Sequence, residues 1–181
     1  AFSGLPVVIV VRKVSWALAD LWLTKVRQWG ELTRLPDSKV GFGVVRALKK
    51  NQCVVLVCDQ HMTPKHGIPT LFFDQPASTT PAPARLSLLN QTPIVPMLCT
   101  RQGLSERIQL QLLGPRSLET PHAHQARNIR HITETLNRLV EKWVLAHPDQ
   151  WLWVHRRWKI QDQWEKWSTH DFEAKPKVET P

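Results

Sequence analysis

Apolar positions along this chain fall into short blocks with two different periods, and the blocks predict its elements. Leu5 to Val11 reads LPVVIVV, a continuous apolar run of β-favouring residues. That is the pattern of a strand buried on both faces. Trp16, Leu18, Leu21, Trp22, Val26 and Trp29 then recur at helical spacing, with Ser15 as cap and Gly30 as stop. An extended piece over 32–35 leads to a Pro36-Asp37 turn. A second helix is predicted over 39–50, with Val40, Val44, Val45 and Leu48 along one side. Cys53 to Cys58 repeats the doubly buried strand pattern and stops at Asp59-Gln60.

The second half is less regular. A polar loop broken by Pro64, Gly67 and Pro69 contains one apolar patch, Leu71-Phe72-Phe73. Ser78, Thr79 and Thr80 read as caps for a helix ending near Asn90, with Pro81 early in it. A strand is predicted over 94–99, where Pro96 implies a bulge or an unpaired position. Arg107 to Leu113 alternates apolar and polar, so it pairs antiparallel with that strand. A long helix is predicted over 122–147 and ends at Pro148. Residues 148–159, PDQWLWVHRRWK, form one or two helical turns, and the polar chain from 161 to 181 is a loosely held tail.

Strand, helix, strand, helix, strand, strand, helix is an α/β plan. It implies a mainly parallel sheet flanked by helices, in one domain over 1–160, with one antiparallel pair. Ligands of such sheets sit beyond the carboxyl ends of strands, which marks Asp59 and Gln60 as site candidates.

Charge narrows the partners. Lys and Arg outnumber Asp and Glu 24 to 15, a formal net charge of +9, which favours a polyanionic partner. The stretch over 151–159 holds Trp151, Trp153 and Trp158 around His155, Arg156 and Arg157. Such a cluster either binds phosphate or packs as a helix with an aromatic inner face. No RNA-stacking or helix-turn-helix motif is present, which argues against nucleic acid. The three cysteines lack CxxC spacing and read as buried reduced thiols. Cys58, His61 and His66 have no evident fourth ligand for zinc.

The order of these pieces resembles one family. Asp59-Gln60 ends a strand, Leu71-Phe72-Phe73 and Pro76-Ala77-Ser78-Thr79-Thr80 follow, then Ala84-Arg85-Leu86 and Thr92-Pro93-Ile94-Val95-Pro96, and PDQWLWVHRRWK closes the match. Over about Val7 to Lys159 this is similar to the lipid A biosynthesis acyltransferases, the lauroyl and myristoyl transferases of the lysophospholipid acyltransferase superfamily. The resemblance implies a glycerolipid acyltransferase-like fold and transfer of a fatty acyl chain from acyl carrier protein to a hydroxyacyl group of a phosphorylated lipid A precursor. It places that reaction at the cytoplasmic face of a bacterial inner membrane, with no cofactor. Arg12 corresponds to an arginine just after a strand, and Arg27 to one that binds phosphate or stabilises the oxyanion. Asp59 corresponds to a strand-end acid, supported by Gln60, while His155, Arg156 and Arg157 form the closing wall of the substrate site.

Two departures accompany the match. The superfamily's His, four residues, then Asp or Glu is absent: five positions beyond each of the eight histidines there is no acid. The resemblance therefore implies that this motif and a membrane helix lie upstream of Ala1, so that the N-terminal portion is missing here. The alternative is an inactive homologue acting as a basic membrane-binding module. Asp74 also replaces the glycine usual after the two phenylalanines, which implies a different backbone conformation there.

Overall fold

The computed structural model describes residues 6–10, 21–22, 25, 33–35, 40–103, 107–114 and 123–160. They fall in two compact units, Ala1–Val57 and Cys58–Pro181. The expected tail over 161–181 lies outside the described residues.

The first unit holds strands β1 (Val7–Val10), β2 (Thr33–Leu35) and β3 (Cys53–Val55) and helix α1 (Val40–Lys49). The strands form one parallel sheet in the order β2-β1-β3. Val8 faces Thr33 on one side and Val54 on the other. With β1 central, Val8 is buried, packed in a core with Val44 and Ala47 of α1 also buried. The expectation of strands buried on both faces does not hold for β3. It is an edge strand in which Cys53 is exposed and its neighbours are half-buried. Helix α1 closes as a Schellman motif: Gln52 N–H bonds Ala47 O at 3.0 Å and Asn51 N–H bonds Leu48 O at 2.9 Å. Asn51 takes the left-handed conformation that this cap requires, φ 55°.

The second unit contains two antiparallel hairpins and two helices. Hairpin one pairs β4 (Ile68–Phe72) with β5 (Gln75–Thr79), and hairpin two pairs β6 (Met97–Arg101) with β7 (Ile108–Leu112). The helices are α2 (Ala82–Asn90) and α3 (Gln125–Ala146), followed by a 3-10 turn over Pro148–Gln150. The single antiparallel pair expected from alternation is hairpin two. Hairpin one stands where the sequence predicts a loop with capping hydroxyls, and this is the main correction to the predicted topology. Among the described residues, three strands are parallel and four are antiparallel, so a mainly parallel sheet is not what this structure shows.

Hairpin one escaped the periodicity because polar residues share its buried positions. Thr70, Ser78 and Thr79 are all inside, alongside Phe72 and Ala77. Its turn is Phe73-Asp74, both with positive φ (50° and 55°), the two-residue geometry matched to strand twist. Aspartate tolerates that conformation, so no glycine is needed at 74. Phe73 pays a steric cost there, offset by its N–H donating to Glu141 Oε1 at 2.8 Å. Its ring also meets Phe72 edge-to-face at 5.0 Å.

The helical spacing of apolar residues predicts Ile129, Ile132, Leu136, Leu139, Val140 and Trp143 on the inner face of α3; Ile132 and Leu136 are buried there, and so is Val144, which that stripe leaves out. Ile132 and Leu136 join Ala84 of α2 in a core that Leu88, Ile94 and Ile129 extend. Helix α2 starts at Pro81 without a side-chain cap bond. Thr80 gives it limited help, accepting the Ala82 N–H at 3.3 Å. The strand expected over 94–99 begins later, at Met97, because Pro96 has no N–H to pair; its carbonyl still accepts from Leu113 at 3.0 Å. Cys99, like Cys53, is exposed, so neither is the buried thiol expected.

Gly67 precedes β4 under tight packing. A Cβ there would lie 2.2 Å from Ser78 Oγ and 3.1 Å from Met62 Cβ. Gly67→Ala is therefore expected to destabilise the protein by about 1–3 kcal/mol. Urea denaturation measures it, and an unchanged midpoint would show that the strand entry has room to spare.

Candidate functional site

The closing segment is built by tight turns rather than a helix. Trp153 N–H bonds Trp151 O at 2.9 Å, His155 N–H bonds Leu152 O at 3.0 Å, and Arg157 N–H bonds His155 O at 2.8 Å. These turns sort the side chains between two sides. Trp151, Arg157 and Trp158 go inward onto hairpin one, while Leu152, Val154 and Arg156 stay exposed.

Phe72 is the platform. Its ring lies 5.6 Å from that of Trp151 and 5.9 Å from that of Trp158. The Arg157 guanidinium sits over the same ring at 4.9 Å. Trp158 Nε1 donates to Phe72 O at 3.0 Å, and Trp151 Nε1 donates to Asp59 Oδ2 at 3.2 Å. Asp59, predicted as the strand-end acid, is thus held by the closing segment, and neighbouring Gln60 is exposed.

Arg157 is wholly buried. Nη1 donates to Ser78 O at 2.5 Å and Nη2 to Thr79 Oγ1 at 2.6 Å. Burial pushes the guanidinium down to about 10, against the pull of Asp59 and then Cys58, so it remains a cation at neutral pH. The neighbouring Cys58 thiol is pushed up to about 11 by burial and then by Asp59, which leaves it protonated. Among the described residues, Arg157 Nε, Ser78 Oγ and His61 Nδ1 are buried without a partner.

Behind Arg157 lies a polar core whose protons can be assigned by elimination. Thr70 Oγ1 donates to Ala77 O at 3.1 Å. The 2.7 Å contact between the Thr70 and Thr79 hydroxyls must then use the proton of Thr79. Thr79 Oγ1 in turn accepts from Arg157 and from Asn137 Nδ2 at 3.2 Å. Asn137 also reaches Thr70 Oγ1 at 3.0 Å and Leu71 O at 2.9 Å, so α3 is tied to hairpin one through a single amide. Such a chain of bonds polarises along its length, from cation to hydroxyl to hydroxyl to carbonyl.

His155 is half-buried. Its Nε2 accepts the His61 N–H at 2.6 Å, which requires that nitrogen to be unprotonated. His61 itself is held below its ordinary value, because burial disfavours its cation and Lys159 and then Arg157 repel it. Gln150 pairs its side-chain amide with the backbone of Arg101: Arg101 N–H to Oε1 at 2.6 Å and Nε2 to Arg101 O at 3.0 Å. An open depression of about 420 Å³ lies beside that pair, lined by Thr100, Arg101, Gly103, Ile108, Asp149 and Gln150 among others. It shares no residue with the Arg157 cluster.

The structure therefore brings Asp59, His155 and Arg157 together, with Gln60 and Arg156 alongside on the surface. Arg157, expected to face substrate, has its guanidinium committed to Ser78 and Thr79. Arg12 and Arg27 lie outside the described residues. Sequence reasoning missed Phe72, Thr79, Asn137 and Glu141 as parts of this cluster. One signal was readable: Asn137 interrupts the apolar stripe of α3 one position after Leu136 and four after Thr133. Among the described residues, no group of three His, Cys, Asp or Glu side chains is placed to hold a metal ion, and no helix is long and apolar enough to cross a membrane.

A family model described as bacterial lipid A biosynthesis acyltransferase matches residues 8–160. Lipid A biosynthesis lauroyltransferase of Escherichia coli (strain K12) is 28% identical over 146 residues. That alignment covers 78% of this chain and 45% of the relative, so the chain spans less than half of that protein's length.

Two outcomes follow from the cluster. Arg157→Met removes two hydrogen bonds to buried acceptors and is expected to cost roughly 2–4 kcal/mol in urea denaturation, with Arg157→Lys recovering less than half. A loss under about 0.5 kcal/mol would mean the guanidinium does not hold the hairpin. For His61, the unfolded chain titrates near 6.5 and the folded one lower. The unfolded state then binds more protons in that window, so stability falls as pH drops below 6.5. Thermal melts from pH 7.5 to 5 should show a shallower decline in His61→Gln than in wild type; parallel declines would exclude His61 as a source.

Proposed function

Because the chain belongs to the bacterial lipid A biosynthesis acyltransferase family, we propose that it forms part of an enzyme moving a fatty acyl chain from acyl carrier protein onto a hydroxyacyl group of a lipid A precursor. The observation that carries this reading is the match over residues 8–160, which includes the whole closing segment and its seat on hairpin one. The proposed setting is the cytoplasmic face of the inner membrane. The partners, acyl carrier protein and a phosphorylated glycolipid, are both anionic, which suits the net charge of +9.

The roles divide by exposure. Arg12 and Arg27 are proposed to bind the acceptor phosphate or the developing oxyanion, where a preorganised cation stabilises charge that appears only in the transition state. Asp59 is proposed to line the site, fixed by the Trp151 indole, with Gln60 beside it. Exposed Arg156 is the cation of the closing pair that faces solvent and is proposed to meet the phosphorylated acceptor. His155 and the buried Arg157 act as positioning residues, holding the 148–160 segment against hairpin one. Proton removal from the acceptor hydroxyl needs a base. No His-x4-acid pair stands in these 181 residues, so that base is proposed to come from chain preceding Ala1.

The test uses the polypeptide encoded by the whole reading frame, assayed with acylated acyl carrier protein and a lipid A precursor bearing a free hydroxyacyl group. Transfer is expected, with Arg27→Ala lowering kcat/KM by about 10²-fold. No transfer despite an upstream His-x4-acid pair would reject the reading. Full activity in Arg27→Ala would remove that residue from the site.

A further inference from the structure

Leu152 to His155 form a β-turn, closed by the His155 N–H on Leu152 O at 3.0 Å. Its two corner residues are Trp153 and Val154. Corners of exposed turns favour Gly, Pro, Asn, Asp and Ser, because those residues suit the backbone and are wetted at no cost. Here the corners are apolar and open to solvent: Trp153 is 55% exposed and Val154 85%, with Leu152 beside them at 56%. The tip is also rigidly mounted. Trp153 Nε1 donates to Pro148 O at 2.5 Å, which satisfies the polar atom of the indole and leaves its carbon surface outward. Its ring meets Trp151 edge-on at 4.7 Å, and Trp151 is pinned by Asp59 and Phe72.

Charge along the chain after the tip is basic. From Trp151 to Ile160 there is no acid, while Arg156 and Lys159 are exposed; Asp149 precedes the tip. We infer that Leu152-Trp153-Val154 is a membrane-contact tip, which seats its apolar corner among the headgroups of an anionic bilayer while Arg156 and Lys159 meet lipid phosphates. The physics is interfacial: an indole with a satisfied N–H and two aliphatic side chains gain by leaving water, and basic residues beside them are drawn to the negative leaflet. Three apolar side chains and two cations make a weak, reversible contact rather than an anchor. Such a contact would set the orientation of the closing segment and its Arg157 seat toward the lipid surface. This inference rests on the membrane-surface part of the proposed function, not on acyl transfer.

The experiment is co-flotation of the full 181-residue chain with vesicles of phosphatidylcholine alone or mixed with phosphatidylglycerol, with no acyl donor or acceptor present. Its result is therefore independent of whether the enzyme assay succeeds. Wild type is expected to float with the mixed vesicles. Trp153→Ser with Val154→Ser should weaken that binding at least about fivefold, as should Val154→Asp alone. Val154→Asp touches a side chain with no packing role, and an unchanged urea midpoint confirms its fold. Arg156→Gln and Lys159→Gln should each cost about fivefold on mixed vesicles and nothing on neutral ones. Failure of wild type to float, tip variants that bind like wild type, or an equal loss in Ile108→Ser on β7 would each overturn the inference. So would self-association abolished by the tip variants without any vesicle binding, because a second copy would then cover the tip.

Discussion

A guanidinium with no access to water organises the larger unit of this protein. Arg157 has its charge spread over Phe72, a β5 carbonyl and a threonine hydroxyl, all within one short strand pair. Moving a cation out of water costs several kcal/mol, and only directed acceptors return it. The acceptors must therefore be in place: β5 supplies the Ser78 carbonyl and the Thr79 hydroxyl, the latter where a strand in a greasy core would carry valine. Once the Thr79 hydroxyl is inside, Thr70 and Asn137 complete its bonding. The hydroxyl interior around Thr70 and Thr79 follows from this buried charge.

That interior gives orientation more than adhesion. Hydrophobic contact alone lets α3 slide or rotate on a hairpin at little cost. A single amide bonded to Thr70, Thr79 and Leu71 does not, because each bond is directional. Glu141, one turn further along the same helix, fixes the hairpin turn by its bond to Phe73 N–H. The closing segment is joined to its surroundings by the indole N–H bonds of Trp151 and Trp158 and by the Phe72 ring stack. A segment without regular structure thereby acquires a fixed geometry.

The sequence disclosed the parts in which hydrophobicity and secondary structure agree. Helix α1 and helix α3 stand within a few residues of their predicted limits, and β7 pairs with β6 as its alternation required. It concealed hairpin one, since Thr70, Ser78 and Thr79 are polar and buried, and Pro69 and Pro76 argue against strands. The same inversion hid the role of Arg157: a cation beside tryptophans reads as a ligand for phosphate, and nothing local reveals that its partners lie about 80 residues away. Asp59 was legible from its place at the end of an apolar run, yet its indole partner was not, because that contact spans 92 residues of chain.

The pairing of Gln150 with Arg101 bears on solubility. The Gln150 carboxamide presents an N–H and a C=O side by side, as one residue of an antiparallel strand does, so Gln150 lies against β6 as a strand one residue long. Open strand edges recruit the edges of other molecules, and β6 and β7 expose Met97, Ile108 and Leu112. By occupying the backbone of Arg101, the closing segment blunts the end of that edge. The contact that seats the closing segment therefore also covers part of an edge that is open to pairing with another molecule.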